Sequence, residues 1–202
     1  MEGLLAFPEI PPSRYGPRVG RTDLSAWAEE QAEALLSDLG NRWKHVQGVG
    51  ECARRVSLIL EEEERPYLVA VAYLHDVGYA PVLRHAGLHQ LDGARWLRSL
   101  GHERLARIVA HHSEARFELT LRGCGAELAT YEREESPATD ALTYCDLTTG
   151  PTGLAMAFED RLAEVERRYG ESDVVAALRQ ATPHLAAAIA RTEQRLCAAG
   201  MQ

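Results

Sequence analysis

Lysine is nearly missing from this 202-residue chain. Lys44 is the only one among 22 basic residues, the rest being arginine. Positive charge as a whole is in deficit, 22 basic against 30 acidic residues, for a formal net charge of −8. That balance excludes a protein that clings non-specifically to nucleic acid or to an anionic membrane, since either needs a basic face. It leaves open a small anionic substrate, because a local site can oppose the global sign. Cysteine is also scarce. Cys52, Cys124, Cys145 and Cys197 form no CxxC pair, and a chain with 46% hydrophobic residues has no need of disulfide staples. Free thiols in a reducing cytoplasm are the expectation. There is no run of 18 apolar residues to span a bilayer, and the opening "MEGLLAFPEIPPSRYGPR", acidic at position 2 and broken at Pro8, does not read as a signal peptide. No GxGxxG, no Walker-type GK[ST] and no Ser-His-Asp or Cys-His nucleophile arrangement is evident. Strand-like alternation and internal repeats are missing as well.

What is present has helical spacing. Residues 1–22, with Pro8, Pro11, Pro12 and Pro17, read as an irregular arm, and 23–202 as a single helical domain with its core over 42–153 and extra helices over 154–200. Asp23 to Leu39 puts Leu24, Trp27, Ala28, Ala32, Leu35, Leu36 and Leu39 on one face, with Gly40-Asn41 as a stop. A second helix runs from about Trp43 to Leu60 and ends in the acidic run Glu61 to Glu64, where four carboxylates would oppose the helix dipole. Tyr67 to Asp76 is apolar enough to be central. Leu88 to Leu100, Glu103 to His112, Ala138 to Leu147 and Thr152 to Tyr169 follow, then a short helix capped by Ser172 or Asp173. Thr182-Pro183 fits the start of a separate last helix. The fold class expected is all-α.

The histidines and aspartates fall at helix ends. His45 lies near the start of the second helix, His75-Asp76 end the apolar third, His89 opens the fourth, His111-His112 end the fifth, and Asp146 closes the helix after "ALTYC". Consecutive helical residues diverge by about 100°, so His75 and Asp76 can approach one centre from two sides. A buried carboxylate beside a buried imidazole is costly unless something compensates the charge, and a divalent metal does so. Mixed nitrogen and oxygen donors suit Fe, Mn, Co, Ni or Zn, whereas Mg or Ca would want mostly oxygen. His85 and His184 read as rim and surface residues, and His102 as part of a helix start.

The order His45, His75-Asp76, Asp146, with "GLHQLDGARWL" and "IVAHHSEA" between, resembles the H…HD…H…HH…D pattern of the HD-domain superfamily. The likeness spans roughly Arg42 to Gly153. It implies a helical-bundle metal-dependent phosphohydrolase of the two-metal kind. His45, His75, Asp76 and Asp146 would hold one ion, and Asp76, His89, His111 and His112 the other, with Fe or Mn favoured. Asp76 and His112 are the candidate catalytic residues. Lys44, Arg84, Arg116 and Thr149 are the candidate substrate contacts. The chain departs from the pattern in lacking GYP after His112, where it reads "HHSEARFE", which speaks against a cyclic-dinucleotide phosphodiesterase. The resemblance implies a small phosphorylated metabolite as partner, a nucleotide or dinucleotide phosphoester, with a homodimer left open. Two other functions share the pattern: a di-iron oxygenase and a non-catalytic metal- or ligand-binding module.

Overall fold

The computed structural model describes residues 24–201. The arm expected over 1–22 lies outside the described residues. Ten helices follow one another among those residues, with short 3₁₀ turns between some of them and no strand. They are α1 (Leu24–Leu36), α2 (Asn41–Val56), α3 (Arg65–Leu74), α4 (His89–Ser99), α5 (Glu103–His111), α6 (Arg116–Leu121), α7 (Gly125–Leu128), α8 (Pro137–Leu147), α9 (Phe158–Tyr169) and α10 (Asp173–Ala198). The all-α expectation holds.

α3 is the rod around which the rest is arranged. Every residue from Leu68 to Leu74 is buried, as expected of a helix that is apolar on all sides. α1, α2, α5 and α8 all touch it. One continuous core joins residues of α1 through α8, from Leu24 to Cys145, so α1 belongs with the helices that follow it. A smaller cluster gathers Leu147, Ala181, Leu185 and Ile189, with Phe117, Phe158 and Leu178 at its edge. It fastens α10 across the end of α8.

Three local expectations are corrected. The acidic run at 61–64 is a turn that leads into α3 rather than the end of α2. There its charge favours the positive helix N-terminus, and Arg104 pairs with Glu64 at 2.5 Å. The helix expected from Thr152 begins only at Phe158. The residues before it form a tight loop, in which Gly150 N–H donates to Leu154 O at 2.8 Å and Met156 N–H to Thr148 O at 2.9 Å. Gly153 permits that loop with a φ of 82°, and a Cβ on Gly48 of α2 would lie 2.3 Å from Gly153 O, so two glycines let loop and helix touch. Finally, Pro183 does not start a new helix. It lies inside α10, whose buried face, from Val175 through Ala181 and Leu185 to Ile189, offsets the lost backbone bond. Ser172 caps α10 as expected, accepting from Val175 N–H.

The chain leaves α3 through a 3₁₀ turn, Val77–Tyr79, and comes back into α4. A Cβ on Gly78 would sit 1.9 Å from the backbone oxygen of His89 and 2.8 Å from Gly93 N. Neither atom can swing aside as a side-chain tip could. Gly78→Ala must therefore push α4 outward. It is expected to cost roughly 1–3 kcal/mol or more, the usual range for overpacking. Chemical denaturation against wild type measures that loss, and an unchanged midpoint would refute the close approach.

Candidate metal centre

Four helix ends and the start of α2 converge beside α3. His75 and Asp76 follow its last turn, His89 is the first residue of α4, His112 follows α5, His45 comes from α2 and Asp146 from the last turn of α8. His45, His75, Asp76, His112 and Asp146 are all buried, and His89 is half-buried.

Two imidazoles are set by the same local device. His75 Nδ1–H donates to Ala72 O at 2.7 Å, and His112 Nδ1–H donates to Val109 O at 2.6 Å. Each carbonyl lies three residues back, among the helix-end oxygens that have no partner within the helix. The bond commits Nδ1–H to the backbone and aims Nε2 inward. His75 Nε2 is buried with no hydrogen-bond partner. His45 is held from behind by Gly150 O, 3.3 Å from its Nδ1, while its Nε2 faces Asp146 Oδ1 at 3.0 Å.

Asp76 stands in the middle and divides its oxygens. Oδ2 faces Arg42 and lies 3.4 Å from His75 Nε2. Oδ1 faces the other way, 3.4 Å from His89 Nε2 and 4.0 Å from His112 Nε2. Asp146 Oδ1 lies 3.9 Å from His75 Nε2, and its other oxygen accepts from the Ser113 hydroxyl. Two donor sets result, each with its atoms within 4.8 Å of one another: His45, His75 and Asp76, and Asp76, His89 and His112. Donors about 2.1 Å from one ion lie about 3 to 4 Å apart, so these spacings suit a metal better than direct hydrogen bonds. The orphan Nε2 of His75 points the same way: the residues fit divalent ions.

The electrostatics follow from burial. Burial opposes ionisation of Asp76, but the Arg42 guanidinium and His75 outweigh it and hold the carboxyl well below the usual carboxylate range. Asp146 is lowered likewise, burial being overcome by the His45 hydrogen bond and the charge of His75. For His75 burial disfavours the cation, yet Asp76 and Asp146 raise the imidazole to about 9. His89 and His112 go down, chiefly through burial and then through nearby positive groups. A metal takes carboxylates and neutral imidazoles, so an ion at His75 would displace the proton that the two carboxylates draw there.

These features match a known family. A family model described as HD domain matches residues 42–147, more than half of the 202-residue chain. The chain belongs to the HD-domain family. That family lies in a superfamily of metal-dependent phosphohydrolases. A search of curated proteins found no match, and neither did a search of solved structures. No described helix of this HD-domain chain is long and apolar enough to cross a membrane.

Not every expected residue reaches the centre. His111 is turned out of it: its Nε2–H donates to Tyr131 O at 2.7 Å. The reason is the 100° step, since the helix that aims His112 inward must aim its neighbour elsewhere. None of the four expected substrate contacts lines the cavity over Asp76, His89, His112 and Asp146. Lys44 is exposed and borders a separate cleft. Thr149 is buried, with its hydroxyl given to Cys145 O at 2.7 Å. Arg116 lies against Glu114 at 2.7 Å, and Arg84 is exposed. Instead Arg42, Arg122, Arg161 and Arg168 line that cavity, with Tyr79 and Tyr169. Arg42 stacks over the Tyr79 ring at 3.9 Å, and Tyr79 on His89 at 4.2 Å. One signal was available: Arg161 and Arg168 are seven residues apart on an amphipathic helix, hence on one face.

With two ions bound, His89→Ala is expected to lower metal content from about two equivalents to about one, and Asp76→Ala to remove both. His111→Ala should leave the content unchanged. Elemental analysis of protein purified without added metal or chelator, away from air, measures this. Full metal content in Asp76→Ala would disprove the shared ligand.

Proposed function

We propose that this HD-domain chain hydrolyses a small phosphorylated metabolite, of the nucleotide or dinucleotide phosphoester class, at a dinuclear centre. The observation that carries this reading is the pairing of two donor sets through Asp76 with an arginine-lined cavity directly over them. His45, His75, Asp76 and Asp146 would hold one ion, and Asp76, His89 and His112 the other. When bound, such ions activate water for attack on phosphorus and offset charge on the phosphoryl oxygens. The chain's own part is separate. α3 and its neighbours keep the donors rigid and dry, which raises the strength of every charge–charge contact there. The Arg42 guanidinium is placed to receive phosphoryl oxygens as a planar fork. Tyr79, wedged between Arg42 and His89, fixes how far that fork can swing.

Iron or manganese is the favoured occupant on donor chemistry, with Co, Ni and Zn also compatible. A di-iron oxygenase would use nearly the same ligand set. Its substrate would chelate through hydroxyls and have little use for guanidinium ions, so the arginine lining favours the phosphohydrolase. A binding module alone would need no open face beside His89 and His112, which this cavity gives.

A screen of nucleoside phosphates and dinucleoside polyphosphates, scored by phosphate release from anaerobically purified protein, tests the reading. Activity is expected to vanish with chelator and to return with Fe or Mn. Asp76→Ala should lower kcat/KM by about 10³-fold or more, the scale of losing metal-assisted water activation. Substrate oxidation without phosphate release would turn the assignment to the oxygenase.

A further inference from the structure

We propose that Arg161 and Arg168 of α9, together with Arg42 of α2, form an anion subsite beside the metal centre that selects substrates bearing a second phosphate joined to the reacting one. This rests on the phosphohydrolase reading and narrows it to di- or polyphosphate chains over simple monoesters.

Arg161 is the anchor of the argument. It is 6% exposed, one of the most buried charged side chains described, and its Nε is buried without any hydrogen-bond partner. Its other recorded contact is an ion pair with Glu164. A buried guanidinium donor is costly to leave unpaired, so an acceptor is expected to reach it from a ligand. Arg168, two turns further along α9, also pairs with Glu164. Two guanidinium groups thus share one carboxylate, which sets their planes and leaves N–H groups of both unclaimed.

Their position supplies the rest. Arg42, Arg161 and Arg168 line two cavities at once. One, of about 270 Å³, holds Asp76, His89, His112 and Asp146. The other, of about 320 Å³, is bordered by His45, Pro151 and Glu164. Arg161 and Asp146 line the first of these cavities together. A phosphate over Asp76 would thus have guanidinium groups from α2 and α9 on its flank, where the next phosphate of a chain would extend. Such a cluster runs against the chain's formal charge of −8. α9 begins after the matched region ends at 147, so this selectivity would be this chain's own addition to the family core.

Calorimetric binding of inorganic pyrophosphate and of orthophosphate to metal-loaded protein is the test. Pyrophosphate should bind at least about tenfold more tightly, as expected for one added charge-assisted contact set. Arg168→Gln, at a partly exposed side chain that can change without unfolding the helix, should lower pyrophosphate affinity about tenfold and orthophosphate affinity less than twofold. Arg167→Gln, its exposed neighbour, should change neither. Equal binding of the two anions, an equal loss of both in Arg168→Gln, or no binding of either overturns the subsite. A retained, Arg168-dependent pyrophosphate preference in protein that releases phosphate from no ester would instead sink the phosphohydrolase reading and leave the subsite standing.

Discussion

A single buried carboxylate imposes the main constraint on this molecule. Asp76 lies at the end of a helix buried on all sides, and its two oxygens face different neighbours: Oδ2 towards Arg42 and His75, Oδ1 towards His89 and His112. A charge in such a place cannot be solvated, so it must be surrounded by compensating groups in fixed positions. The fold provides them by starting α2 and α4 and ending α3, α5 and α8 so that these termini meet. Rigidity is then a requirement as much as a result. The closeness of Gly78 to the backbone of α4 shows how little slack remains between the turn after Asp76 and the helix that carries His89.

The two hydrophobic clusters divide the labour. The larger, built on α1 through α8, holds the donors in place. The smaller joins α10 to the end of α8 and the start of α9, and so brings the arginines of α9 over a centre made entirely by the first. The loop between α8 and α9 couples the two. Its close seat on α2, allowed by Gly48 and Gly153, presents Gly150 O to the back of His45. One short segment therefore orients an imidazole of the centre and sets the start of the helix that walls the cavity.

The fold was legible in the sequence because buried helices announce themselves by spacing. The ends of α3, α4, α5 and α8 and the His75-Asp76 dipeptide could be placed to within two residues. So could the convergence of His45, His89, His112 and Asp146, since the order of motifs carried it. What failed were statements about direction. His111 and His112 are adjacent letters, but one meets Tyr131 O and the other faces Asp76. Lys44 is adjacent to His45 and exposed for the same reason. The residues expected to touch substrate lie off this cavity, and sequence neighbours of the ligands, such as Arg116 and Thr149, spend their polar atoms locally. The arginines that line the cavity come from α9, beyond the matched region, and from Arg42, whose approach to Asp76 no spacing rule could show. Pro183 misled because tertiary burial of α10 outweighed a local break signal.

Ser113 shows how far the geometry of the centre overrides local preference. It and Glu114 have φ of 51° and 57°, the left-handed region that non-glycine residues avoid at about 1–2 kcal/mol each. Had α5 simply continued, Ser113 would lie a further 100° round from His112, and its hydroxyl would face away from the centre. The helix has already ended at His111, with His112 extended, and the left-handed turn that follows folds Ser113 back over Asp146, to which its hydroxyl donates. With His45 on one carboxylate oxygen and Ser113 on the other, Asp146 has no freedom to rotate. Glycine would relieve the backbone at position 113 and release that carboxylate. A serine in a strained conformation therefore implies that holding Asp146 is worth more to this protein than the local stability a glycine would return.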